Sequence, residues 1–94
     1  GKGAAANNDF SIAIGSNSSA DADYAISIGQ GSNNLNANSC AIGRGASTDA
    51  ANQLAIGTDA NPLGATDSVT TFVQSGRWKV KINGVNYYIP LDAV

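Results

Sequence analysis

The chain has 94 residues, 43% hydrophobic and only 13% charged, with a formal charge of −2, one Cys and no His or Met. That length bounds it to one small domain or a piece of a longer fibre, because a lone core of this size is marginal. The mild acidity gives no reason to expect nucleic acid as a partner, Cys40 excludes an internal disulfide, and no apolar run reaches membrane-spanning length, so no membrane insertion by this segment is expected. The missing Met, initiator included, reads as a fragment or a processed product.

From the first residue to about residue 65 the chain is repetitive. Gly15, Gly29, Gly43 and Gly57 recur every fourteen residues, each preceded by Ile, and Gly1 falls on the same register. A fixed short period is the signature of a solenoid. Within each rung two apolar residues flank a small one, as in Ile12-Ala13-Ile14, which is the alternation of a β-strand. Gly15 then ends the strand where a Cβ would hinder the backbone. A second short segment of small residues follows, such as Asn17 to Ala22, and an Asp/Asn turn leads to the next rung. Two strands near five residues each with two turns account for the period, and Asn, Ser, Gly and Asp exclude helix.

Stacking the rungs builds columns. Ile12, Ile26, Cys40 and Leu54 form one, and Ile14, Ile28, Ile42 and Ile56 another; both are expected to point inward as the roll core, opposite Ser18, Ser32, Ala46 and Ala60. Ala13, Ser27, Ala41 and Ala55 then fall on the outer face. They are too small to be chosen for solubility, so that face is expected against another copy of the chain, the usual remedy for a scaffold with a thin core.

Residues 66–94 abandon the repeat. Val69-Thr70-Thr71-Phe72-Val73 reads as a strand. Arg77 to Ile82 and Val85 to Ile89 alternate on either side of Asn83-Gly84, the strongest short-range hairpin signal and one that favours a type I′ turn. A two-residue loop pairs Ile82 with Val85, Val80 with Tyr87 and Trp78 with Ile89, placing all six on one face; Lys79, Lys81, Asn86 and Tyr88 take the other. Pro90, lacking an N–H, is expected to end the pairing. The six apolar residues are the candidate core of a cap that closes the open end of the roll and holds copies in register.

The fourteen-residue unit resembles the head repeat of trimeric autotransporter adhesins, the YadA-like family. The residues that carry it are Ser11-Ile12-Ala13-Ile14-Gly15, Ala25-Ile26-Ser27-Ile28-Gly29, Ser39-Cys40-Ala41-Ile42-Gly43 and Gln53-Leu54-Ala55-Ile56-Gly57, within residues 1–65. The resemblance implies a left-handed parallel β-roll, three chains around one axis, and a role in binding host surfaces or matrix. Cys40 and Leu54, and Asn34, Thr48 and Pro62 where small residues are usual, depart from the pattern. The tail Ile82-Asn83-Gly84-Val85-Asn86-Tyr87-Tyr88-Ile89-Pro90-Leu91 resembles the C-terminal tail of phage and large-virus fibre proteins. No heptad follows residue 65, so the expected stalk of an adhesin is not present in this stretch.

Chemistry is mostly absent. Without His or Glu no Ser-His or Cys-His pair can form, and Asp is the only ordinary base. Asp21 and Asp23 read as turn formers. The glycines match neither a phosphate loop, since no G-x-x-x-x-G-K-[ST] is present, nor nonapeptide calcium repeats; six does not divide fourteen, which excludes hexapeptide acyltransferases. No cofactor and no metal is expected. For ligand contact the candidates are Phe10 and Tyr24, one column of aromatics suited to sugar rings or to rung-to-rung stacking, and Arg77, Lys79, Lys81 and Tyr88 on the hairpin, suited to an anionic partner or to a solvated face. The chain therefore reads as an all-β, homotrimeric, left-handed parallel β-roll (1–65) with an antiparallel hairpin cap (66–94), a non-enzymatic attachment segment for a host receptor or glycan. Its bearer is a virion fibre or, alternatively, a bacterial surface adhesin; a purely structural trimerisation module is the third reading.

Overall fold

The computed structural model describes residues 1–63 and 75–91, and all of its regular structure is strand. The strands are β1 (Ala5–Ala6), β2 (Ile12–Ile14), β3 (Ser19–Ala20), β4 (Ile26–Ile28), β5 (Asn33–Asn34), β6 (Cys40–Ile42), β7 (Leu54–Ile56), β8 (Gly76–Ile82) and β9 (Val85–Leu91). Two parallel sheets face each other, ordered β1-β3-β5 and β2-β4-β6-β7, and β8-β9 forms a separate antiparallel pair. The register is the sequence period itself. Ile12 pairs with Ile26, Ile26 with Cys40 and Cys40 with Leu54, each fourteen residues on. The rungs are a β-solenoid, with strands of three and two residues instead of the five that the spacing suggests; turns take up the rest of each coil.

Facing is the reverse of the expectation. Ala25, Ala41, Ser18, Ser27 and Ser32 are fully buried, whereas Ile12, Ile14, Leu54 and Ile56 are exposed and Ile26, Ile28, Cys40 and Ile42 are half-buried. The predicted core columns thus line the outside of the roll. The predicted outer column (Ala13, Ser27, Ala41, Ala55) points inward, with Ser27 and Ala41 buried and the end residues Ala13 and Ala55 partly covered. The reason is width. The Ser27 and Ser32 hydroxyls, on opposite walls, lie 2.7 Å apart, which leaves no space between the sheets for a branched aliphatic side chain. The facing wall does contain Ser18, Ser32 and Ala46, all buried, but Ala60 is exposed. There the chain makes a turn, with Thr58 N–H donating to the Asn61 carbonyl at 3.1 Å and Asn61 N–H to the Thr58 hydroxyl at 2.9 Å.

A core this narrow is held by polar contacts as much as by apolar burial. Asn34 is fully buried. Its Oδ1 accepts from Thr48 Oγ1 at 2.6 Å, Ser39 Oγ at 2.7 Å and the Asn36 N–H at 3.2 Å, and its Nδ2 donates to the Ile26 carbonyl at 3.0 Å. Among the described residues every buried side-chain polar atom has a partner, as a buried polar network requires to be stable. The departures Asn34 and Thr48 therefore form one cluster with Ser39 across the roll.

Stacking is tight at the glycine column. Gly15, Gly29, Gly43 and Gly57 all have positive φ, and a Cβ on Gly29 would meet the Gly43 carbonyl carbon at 2.5 Å. Both the left-handed backbone and the rung spacing demand glycine there.

The hairpin pairs Ile82 with Val85, Val80 with Tyr87 and Trp78 with Ile89. Asn83 and Gly84 have φ of 52° and 80°, the two positive values of a type I′ turn. Pairing continues past Pro90, which faces Arg77, to Leu91 opposite Gly76. Counting from the two-residue turn, position 90 is a non-hydrogen-bonded site, where an N–H would point to the open edge, so proline costs no ladder bond. The strand predicted over Val69–Val73 and the boundary at residue 65 lie outside the described residues.

Candidate functional site

Among the described residues the candidate surfaces are faces of the coil and of the hairpin. The first is the aliphatic wall on β2, β4, β6 and β7. Alternation on these three-residue strands sends the central small residue inward and both flanking residues outward. Two columns of Ile, Leu and Cys consequently stand side by side on one side of the roll. Ile12 is 46% and Leu54 61% exposed. Contiguous apolar surface of this kind on a short β-roll is a candidate interaction face. Cys40 lies within it, and partial burial pushes its thiol above the ordinary value of 9.0, so it behaves as a small hydrophobe and a sluggish nucleophile.

The second is a corner of the roll. Phe10 and Tyr24 stack with ring centroids 5.2 Å apart and planes 8° from parallel, yet they are 76% and 58% exposed. Both sit at positive φ, 58° and 60°, as do Asn38 and Asn52 in the two rungs that follow. Asn tolerates this left-handed region, while bulky aromatics occupy it at a cost. Beside the rings, Asp23 Oδ1 accepts from the Asp9 N–H at 3.3 Å and Asn8 Nδ2 at 3.4 Å, and Asn7 Nδ2 donates to Asp21 Oδ1 at 2.6 Å. The carboxylates of Asp21 and Asp23 thus tie rung to rung.

The third is the hairpin. Its apolar face carries Trp78, Val80, Ile82, Val85, Tyr87 and Ile89; all but the half-buried Val80 are exposed. On the other face the Arg77 guanidinium lies 3.9 Å above the Tyr88 ring, a cation–π contact, next to exposed Lys79 and Lys81. The ligand-contact candidates thus fall into two separate groups, the aromatic corner and the basic hairpin face. What the sequence reading missed is the outward aliphatic wall. Its signal was present in the uniform smallness of the two facing columns, Ala13, Ser27, Ala41 and Ala55 and Ser18, Ser32, Ala46 and Ala60, which only a narrow interior requires.

Chemically these surfaces offer packing, stacking and hydrogen bonding. Among the described residues no group of three or more His, Cys, Asp or Glu side chains is placed to hold a metal ion, and no helix is long and apolar enough to cross a membrane. In comparison with known families, the YadA head domain repeat matches in two copies, over residues 1–18 and 6–32. Neither a curated protein nor a solved structure matches the chain.

Proposed function

We propose that this stack of YadA-like head repeats is a non-enzymatic attachment segment, working as a homotrimer in which three copies bury their aliphatic walls against one another. The observation that carries the reading is the division of the roll into a small, polar interior and an apolar exterior: Ala41 and Ser27 are fully buried while Ile14 and Ile56 are more than half exposed. Burying apolar area is worth about 25 cal/mol per Å², so a wall of eight such residues favours self-association strongly. Copy number three comes from the likeness to YadA heads. The resulting rod turns its corners, with Phe10 and Tyr24, toward a host surface, where flat rings flanked by Asn and Asp suit a sugar ring or a peptide. Arg77, Lys79, Lys81 and Tyr88 form a secondary contact for an anionic group.

The setting is extracellular. The repeats favour a bacterial cell surface, and the hairpin tail favours a virion fibre as bearer. The deciding experiment is binding of the assembled chain to a glycan array and to cultured host cells, beside a Phe10→Asn/Tyr24→Asn variant. Because Asn suits the positive φ at both positions, that variant keeps the fold and assembly and loses binding. A trimer that binds neither glycans nor cells overturns attachment and leaves a structural module.

A further inference from the structure

We propose that the apolar face of the β8–β9 hairpin is a self-recognition site, at which the hairpins of sister copies close into one shared core that strengthens assembly and sets its register. The inference rests on the copies meeting through their aliphatic walls, and it assigns a distinct task to a distinct surface.

The roll alone specifies register poorly. Its wall repeats every fourteen residues: Ile14, Ile28, Ile42 and Ile56 are identical from rung to rung, and the neighbouring column is aliphatic apart from Cys40. A sister copy displaced by one rung meets almost the same surface and loses only the contact of the terminal rung. Repetitive interfaces need a separate device against such slippage. The hairpin has no internal repeat. Trp78, Val80 and Ile82 stand opposite Ile89, Tyr87 and Val85, an arrangement that offers one way of meeting itself.

This face also requires cover. Trp78, Ile82, Val85, Tyr87 and Ile89 are between 42% and 60% exposed, and among the described residues β8 and β9 contact no strand of the roll. A two-stranded hairpin is at best marginally stable in water and needs a packed face. With an aromatic side chain covering ~150–250 Å² when buried and the aliphatics less, two half-exposed aromatics and three half-exposed aliphatics offer roughly 400–500 Å² per copy. That is more than half of the about 800 Å² per partner of a standard protein–protein interface. The occupant follows from the composition. The face carries no charged residue, while Arg77, Lys79 and Lys81 all lie on the reverse, so like faces can meet without bringing like charges together. Copies joined through their rolls hold their hairpins at an effective concentration in the millimolar range, which favours the sister hairpin over a foreign protein.

The test compares four forms of the full chain by sedimentation over a range of concentrations, with far-UV circular dichroism as the check on the roll. Trp78→Ser/Ile89→Ser disrupts the apolar hairpin face, Lys79→Ser/Lys81→Ser its reverse, and Ile28→Asp/Ile42→Asp the wall of the roll. The proposal predicts that Trp78→Ser/Ile89→Ser raises the concentration at which half of the chains are assembled at least tenfold with an unchanged roll spectrum, and that Lys79→Ser/Lys81→Ser leaves it where it is. An unchanged midpoint for Trp78→Ser/Ile89→Ser overturns the self-recognition site, even if Ile28→Asp/Ile42→Asp dissociates the assembly and so supports the wall. Dissociation by the hairpin variant with none by the wall variant keeps the site and overturns the shared wall instead.

Discussion

Replacing Asn34 by Ala probes the polar interior at its largest fully buried side chain. The change leaves Thr48 Oγ1 without its 2.6 Å acceptor, the Asn36 N–H without its 3.2 Å acceptor, and the Ile26 carbonyl without the Nδ2 donor at 3.0 Å. Ser39 keeps a partner, because its hydroxyl also lies 2.5 Å from the Asn36 carbonyl. A buried group left unpaired costs ~1–3 kcal/mol. The Ile26 carbonyl keeps its backbone partner in the β4–β6 ladder, so the Thr48 hydroxyl and the Asn36 N–H set a ceiling of roughly 6 kcal/mol, and re-pairing within the cluster or entry of a water brings the expected loss to about 2–4 kcal/mol. At ~4–8 °C per kcal/mol for a domain of this size, the melting midpoint followed by circular dichroism falls by about 8–32 °C. Asn34→Ala melting within a degree or two of the parent refutes the claim that a satisfied polar network holds the coil together.

Gly29→Ala places a Cβ 2.5 Å from the Gly43 carbonyl carbon at φ +134°, and a loss of at least ~2 kcal/mol is expected in thermal melts. Ala41→Ile overfills an interior only two small side chains wide and destabilises the coil by ~1–3 kcal/mol at every protein concentration. Ile42→Ala, one residue away but on the outer wall, has an effect that grows on dilution, because what it weakens is association. Cys40 reacts slowly with iodoacetamide. Burial favours the neutral thiol, so the thiolate fraction, and with it the alkylation rate measured by mass spectrometry, reaches half of its maximum only above pH 9.0, and a half-point at or below that pH contradicts the burial.

Periodicity carried most of the architecture. Fourteen-residue spacing determined which residues pair, because a parallel solenoid stacks each residue on its equivalent, and the register from Ile12 to Ile26 and onward follows it. Asn83-Gly84 determined the hairpin register in the same local way. Which face of each strand turns inward was not legible from alternation, which says only that Ile12 and Ile14 share a face. Assigning them to the interior applied the rule that large aliphatics are buried, a rule that this narrow coil does not follow in the single chain, where Ile12, Ile14, Leu54 and Ile56 are exposed. The interior is set by closure distance, as the 2.7 Å contact of Ser27 with Ser32 records. Pro90 misled for a related reason: its missing N–H matters only at a hydrogen-bonded site. The aromatic corner was legible as a column, but the positive φ of Phe10 and Tyr24 emerged only from the structure. It is the Asn residues of the later rungs that would have hinted at it.

The central claim, that the isoleucine wall is an exterior surface shared between copies, is tested most directly by the mass of the folded species in solution. Sedimentation equilibrium of the unaltered chain at micromolar concentration is predicted to give three times the mass of one polypeptide. Under the same conditions Ile28→Asp/Ile42→Asp gives single chains with an intact β spectrum, since aspartate on the outside leaves the Ala/Ser interior untouched. A folded single copy of the unaltered chain, or a variant that unfolds because its coil has lost its core, contradicts the account.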